Sequence, residues 1–155
     1  DILIDLHKIN HNAVGEIEKE DFELPYREKL PRIIEKVYSE NSKDEIEFKT
    51  SKYLDQFRKE IADDWGNFNR LIAKCKSGNF DLKVTHNDPW GNVMRIGDGG
   101  IYLFDWDNIL LAPVERDLWF KLNDKEVVKY YRNAFPHYSI NNLAYDFYNT
   151  SKLSF

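Results

Sequence analysis

Cysteine, excess positive charge and long apolar runs are all scarce in this chain of 155 residues. The single cysteine, Cys75, excludes an internal disulfide framework and fits a reducing compartment. No apolar run approaches the roughly 18 residues that a membrane-spanning helix needs. Lys and Arg number 22 against 27 Asp and Glu, and this net charge of −5 argues against a general nucleic-acid binder. These absences predict a cytoplasmic protein that binds neither nucleic acid nor membrane.

Aromatic residues, by contrast, are plentiful, with ten Phe, nine Tyr and four Trp. Together with a hydrophobic content of 42%, they are enough to build the core of one domain of this length. The first residues, Asp1 to Ile9, already have the periodicity of a helix, with Ile2, Leu3, Leu6 and Ile9 on one face. A start inside a helix indicates a fragment of a longer protein.

Helical periodicity covers most of the chain outside a central segment. One helix is predicted from Pro25 to about Ser39, and the longest from about Glu45 to Lys76. Their core faces are predicted to be Leu30, Ile33, Ile34 and Val37 in the first, and Ile61, Trp65, Phe68, Ile72 and Cys75 in the second. Three further helices are predicted after Pro113: Val114 to about Leu122, Glu126 to Ala134, and Ile140 to about Asn149.

The central segment has the alternation of short strands. Leu82 to His86 is the first, and Val93 to Ile96 and Ile101 to Phe104 form a hairpin across Gly97 to Gly100. The predicted fold class is therefore α+β, mainly α, with helices around a small β-hairpin.

Three polar residues flank this hairpin. Asp88 lies in a turn after a strand, Asn92 begins the hairpin's first strand, and Asp105 ends its second. Because a hairpin brings its two ends side by side, Asn92 and Asp105 should be close. A carboxylate and an amide oxygen are hard donors that suit Mg²⁺ shared with phosphate oxygens. Asp88 could then accept the proton of an attacking hydroxyl, although Asn87-Asp88-Pro89 is also ordinary turn chemistry.

Three motifs in order resemble the C-terminal lobe of the aminoglycoside phosphotransferase and choline kinase-like family, and in particular its spectinomycin-phosphotransferase-like branch. They are His86-Asn87-Asp88-x-x-x-Asn92, Leu103-Phe104-Asp105-Trp106-Asp107, and the run from Ala112 to Phe120 that contains Glu115-Arg116-Asp117. The resemblance implies that residues 1–155 form a single C-terminal lobe of a protein-kinase-like fold.

The same resemblance implies a role for each motif residue. Asp88 would be the catalytic base, Asn92 and Asp105 the Mg²⁺ ligands, and His86 a support for the loop. Asp117 would anchor the loop's backbone, and Asp107 either assists the metal or is merely solvated. The implied activity is ATP-dependent transfer of the γ-phosphate to a hydroxyl of a small molecule, which the acidic charge predicts to be cationic.

Two departures from the family pattern leave an alternative open. Asn92 follows Asp88 by four residues where the family usually has five, and no glycine-rich phosphate loop or strand Lys occurs in the chain. The nucleotide-binding N-terminal lobe is therefore absent from it, and its nucleotide-binding residues are unknown. The alternative is a truncated or degenerate lobe that binds a small molecule or a protein without catalysis.

Other polar residues are not assigned to the site. His7, His11 and His137 show no metal-ligand spacing with Cys75, and Glu115 and Arg116 are expected to be exposed or locally paired.

Overall fold

A computed structural model describes residues 2–24, 26–38, 44–97 and 99–153. Its residues form two compact units, one of residues 22–76 and one that combines residues 1–21 with 77–155. Pro25, Ser39 and Asp98, on which parts of the predicted helices and hairpin depend, lie outside the described residues. None of the helices in the described part of the chain combines the length and the apolar character that a membrane crossing requires.

The unit of residues 22–76 is helical. It contains α2 (Lys29–Tyr38), α3 (Glu45–Asp55) and most of α4 (Arg58–Ser77). The single long helix predicted from Glu45 is wrong, because the chain turns at Gln56 and Phe57 and divides it in two. Asp44 caps the start of α3, where its side chain accepts hydrogen bonds from the Ile46 and Glu47 amides at 2.8 and 3.0 Å.

Burial in this unit differs between α2 and α4. Phe68, Ile72 and Cys75 of the predicted α4 stripe are buried, which confirms that face as packing. The predicted core face of α2 is wrong in part, since Leu30 and Ile33 are 36% and 52% exposed. An apolar stripe on a helix is buried only where a neighbouring element covers it. Within this unit α2 packs against α3.

The other unit carries two antiparallel pairs of strands in its described residues. Strand β1 (Lys83–Thr85) pairs with β4 (Leu110–Ala112), and β2 (Val93–Arg95) pairs with β3 (Ile101–Leu103) in the predicted hairpin. Gly99 in the hairpin turn has φ +85°, a left-handed conformation that glycine adopts without steric cost. Strand β4 was not predicted.

The helices of this unit surround β1 and β4. They are α1 (Ile2–His7), α5 (Glu115–Leu118) with a 3₁₀ turn over Trp119–Lys121, α6 (Lys125–Ala134) and α7 (Asn142–Leu153). Helix α1 packs on β1, and α5 packs on α7. Their shared core is formed by Leu3, Ile4, Leu6, Val84, Leu111, Val114, Leu118, Leu122, Val128 and Tyr131. The chain is thus helix-rich with small antiparallel sheets. The end of β1 lies beside α5.

Candidate phosphotransfer site

Asp117 on α5 holds the loop that follows β1. Its Oδ2 accepts a hydrogen bond from the His86 amide at 2.9 Å, and its Oδ1 accepts one from the Asn87 amide at 2.6 Å. The Trp90 indole also donates to the backbone carbonyl of Asp117, at 2.9 Å. Asp117 is only 1% exposed, so these charge-assisted bonds lie away from water, where such bonds are strong. The backbone immediately before Asp88 is therefore fixed to α5.

His7 supports Asp117 from behind. Its Nε2 lies 3.1 Å from Asp117 Oδ2, and its Nδ1 lies 2.8 Å from the Tyr131 hydroxyl. Because an ionised carboxylate only accepts, Nε2 donates to Asp117, and in a neutral imidazole Nδ1 then accepts from the Tyr131 hydroxyl. All three side chains are buried, so α1, α5 and α6 meet in one hydrogen-bonded chain. The sequence offered only the weak signal that His7 lies four residues after Leu3, on the apolar face of α1.

His86 connects the loop to the end of β3. Its Nε2 donates to the Phe104 carbonyl at 2.9 Å, and its ring meets Trp106 edge to face at 4.7 Å between centroids. The Nδ1 atom is buried and has no hydrogen-bond partner among the described residues. The residue after Phe104 is Asp105, so the imidazole fixes the backbone that presents this carboxylate.

Asn92 lies beside the same strand end. Its carbonyl accepts from the Phe104 amide at 3.1 Å, which places it next to Asp105, as the hairpin predicts. Its side-chain Nδ2 turns back to donate to the Asp88 carbonyl at 3.0 Å. The shortened loop is therefore closed by Asn92 itself, and its Oδ1 is the side-chain atom left for another ligand. A Cβ on Gly91 would lie in ordinary van der Waals contact with Asp88 Oδ2, at 3.6 Å, so space does not require glycine at this position.

Two site residues have left-handed backbone conformations. Asn87, just before Asp88, has φ +83°, and Asp105 has φ +65°. Asn and Asp tolerate this region better than other non-glycine residues, yet such conformations cluster at functional sites. Asp88, which follows Asn87, and Asp105 itself are both exposed to solvent.

The arrangement offers oxygen ligands without forming a closed cage. Among the described residues, no three His, Cys, Asp or Glu side chains converge as a metal-binding group. An Asp105 carboxylate and an Asn92 amide oxygen fit the habit of Mg²⁺, which keeps several waters and binds through one or two protein ligands plus phosphates. Asp107 lies exposed in the turn after Trp106, and no described contact ties it to either residue.

An aromatic cavity adjoins Asp88. It has a volume of about 570 Å³ and is lined by Asn87, Asp88, Trp90, Asn108, Trp119 and Phe120. Trp90 meets Phe120 edge to face at 4.8 Å, and the Lys121 ammonium lies 6.0 Å from the Trp90 ring. One carboxylate against several aromatic faces is an environment that suits a cation with an apolar body.

The surface placement expected for Glu115 and Arg116 is wrong. Arg116 is 5% exposed, donates to Thr85 Oγ1 at 3.1 Å and lies 3.5 Å from Glu20 Oε2. Burial lowers the pKa of the Arg116 guanidinium and raises the pKa of the Glu115 carboxyl. The expectation considered only the polar character of the two side chains. It is wrong because α5 is a short helix whose first residues are buried.

One solved structure similar to the chain is that of the spectinomycin phosphotransferase APH(9)-Ia in complex with ADP and spectinomycin. The TM-score is 0.68 at 21% sequence identity, and the match covers 98% of this chain. The chain spans about half of that protein, 49% of its length. No family model matches the sequence, and no curated protein matches it. The chain therefore has the fold of part of a kinase-like phosphotransferase.

Proposed function

We propose that residues 1–155 form the C-terminal lobe of an ATP-dependent phosphotransferase. The acceptor is a hydroxyl on a small, cationic molecule, of the aminoglycoside type or similar. One observation carries the proposal: Asp117 holds the backbone before Asp88, while His86 holds the carbonyl before Asp105. A single buried scaffold thus sets two exposed carboxylates, and the neighbour of similar fold was solved with ADP and spectinomycin.

Each residue has a role in this reaction. Asp88 accepts the proton of the acceptor hydroxyl and orients it for in-line attack on the γ-phosphorus. The phosphorus–oxygen bond to the hydroxyl forms as the bond to the ADP leaving group breaks. Asn92 Oδ1 and the Asp105 carboxylate would hold Mg²⁺, which would neutralise charge on the phosphate oxygens. His86 and Asp117 keep these groups in place, so catalysis rests on positioning.

The acceptor's place is the aromatic cavity beside Asp88. Trp90, Trp119 and Phe120 supply faces for the apolar body and for its positive charge, while Asp88 reaches the hydroxyl. The glycine-rich loop and the strand Lys that this scheme requires would have to come from outside these 155 residues.

Asp88→Asn tests the base. In the longest natural form of the protein that contains this chain, we expect transfer to fall by at least about 1,000-fold, because general-base catalysis is lost. Nucleotide affinity should change by less than about twofold, since Asp88 is not a metal ligand in this scheme. The matched control is Asp146→Asn, which alters an exposed Asp on α7 of the same unit and should retain most activity.

Unchanged turnover in Asp88→Asn would remove Asp88 as the base. A wild-type protein that binds nucleotide or a small molecule but transfers no phosphate would instead support the binding module without catalysis.

A further inference from the structure

A second cavity of about 570 Å³ lies in the unit that carries Asp88, yet it shares no lining residue with the aromatic cavity described above. It is bounded by the segment before β1, the start of α5, the end of α6 and the loop 135–141. Apolar walls come from Phe80, Tyr131, Phe135, Tyr138 and Ile140. Phe135 stacks on Tyr131 at 4.8 Å, and Tyr138 meets the same ring edge to face at 4.8 Å.

Glu115 brings a carboxylate to this aromatic enclosure, which we call the Glu115 cavity. The residue is 2% exposed, and its Oε1 accepts from the Asn141 amide at 2.8 Å and from the Tyr138 hydroxyl at 3.1 Å. Its own backbone amide also donates to the carboxylate, yet Glu115 forms no ion pair with a Lys or Arg in the described ranges. A buried carboxylate without a cationic partner has lost hydration that a bound cation can replace.

The one Lys among the lining residues, Lys83, already forms an ion pair. Lys83 Nζ lies 3.1 Å from Asp81 Oδ1, and both residues belong to the lining. Their charges offset each other, so the lining's formal charge is that of Glu115 when His137 is neutral. The cavity is thus aromatic and anionic, and its volume falls within the range of about 300–1,000 Å³ that small-molecule sites occupy.

We propose that the Glu115 cavity binds a small organic cation, an amine or ammonium compound with an apolar body. Its charged head contacts the Glu115 carboxylate, and its body lies against Phe135 and Tyr138. Ring faces attract a cation within about 6 Å, and the carboxylate adds an opposite charge in the same enclosure. This site does not depend on the proposed phosphotransfer, because none of its residues takes part in it.

The test uses the ¹⁵N-labelled protein with benzylammonium as the probe and benzyl alcohol as a neutral probe of matched shape. We expect benzylammonium to produce saturable shifts of the Phe135 and Asn141 amide resonances. Its dissociation constant should be at least about tenfold lower than that of benzyl alcohol, as a charge-assisted contact provides. Absence of saturable shifts at these amides at millimolar probe, or equal binding of the two probes, would overturn the proposal.

Matched variants separate charge from shape. Glu115→Gln keeps an acceptor for Asn141 and Tyr138 but removes the charge, so the preference for benzylammonium should fall to within about twofold. Phe135→Leu removes an aromatic face and should weaken benzylammonium severalfold, which keeps the test decisive if Glu115→Gln does not fold. Asp88→Asn should leave both affinities unchanged. Probe shifts that occur at Asn87 and Trp90 and vanish in Asp88→Asn would assign the probe to the other cavity and contradict the proposal.

Discussion

Two buried carboxylates lie two residues apart on α5, and each holds a different loop. Asp117 uses both of its oxygens, on the His86 and Asn87 amides and on His7. Glu115 accepts from the Asn141 amide, the Tyr138 hydroxyl and its own amide. Asp117 lines neither cavity and acts as scaffold, whereas Glu115 lines a cavity and can also meet a ligand.

The same contrast separates Asp117 from Asp88. Asp117 is buried and bonded to backbone, and Asp88 is exposed on the loop that Asp117 fixes. A reacting group gains from a rigid backbone and an accessible side chain, because positioning is set before the substrate arrives. The buried residue therefore determines how precisely the exposed residue can act.

The largest expected effect is that of removing the scaffold. Asp117→Ala leaves two backbone amides and His7 without their acceptor, and we expect the free energy of unfolding to fall by about 3–5 kcal/mol. Urea denaturation measures it. Asp107→Ala, at an exposed position in the same unit, should change this free energy by less than about 0.5 kcal/mol. A loss below about 1 kcal/mol for Asp117→Ala would mean that the loop does not depend on this carboxylate.

A smaller effect is expected at Tyr131, which is linked to Asp117 through His7. Tyr131→Phe removes the hydroxyl that donates to His7 Nδ1, so the free energy of unfolding should fall by about 1 kcal/mol. The adjacent Tyr130, 54% exposed, provides the control, and Tyr130→Phe should be neutral. Equal values for the two variants would show that the buried bond contributes nothing.

The smallest effect is a pH dependence at Glu115. Burial raises the pKa of this carboxyl above its ordinary value of 4.5, so the folded state holds the proton more tightly than the unfolded state. The resulting stability is fully present below 4.5 and is lost as pH rises through the folded-state pKa. We therefore expect the wild type to lose stability relative to Glu115→Gln as the pH rises above 4.5. Denaturation of both proteins as a function of pH measures the difference; a constant or growing advantage of the wild type would contradict the assignment.

Short-range patterns account for what the sequence predicted. The hairpin follows from alternation around a glycine-rich turn, and it places Asn92 beside the residue before Asp105. The His7–Asp117 and His7–Tyr131 bonds, by contrast, join residues 110 and 124 positions apart, which no local pattern encodes.

Two further differences between the prediction and the structure concern β4 and the end of α3. Strand β4 is only three residues long and depends on pairing with β1, so its own sequence carries little strand signal. The turn at Gln56 and Phe57 has no proline or glycine near it, the nearest being Gly66, so helical periodicity alone could not locate the end of α3.

The central claim is that Asn92 and Asp105 form one metal–nucleotide site on the scaffold of Asp117 and His86. Its most direct test is an NMR titration with ATP, with and without Mg²⁺, of the longest natural form of the protein that contains this chain. The account predicts saturable shifts of the Asn92 and Asp105 amide resonances that require Mg²⁺, persist in Asp146→Asn and disappear from Asn92 in Asp105→Asn. Shifts that are identical without Mg²⁺, or no shift at millimolar ATP and Mg²⁺, would contradict it.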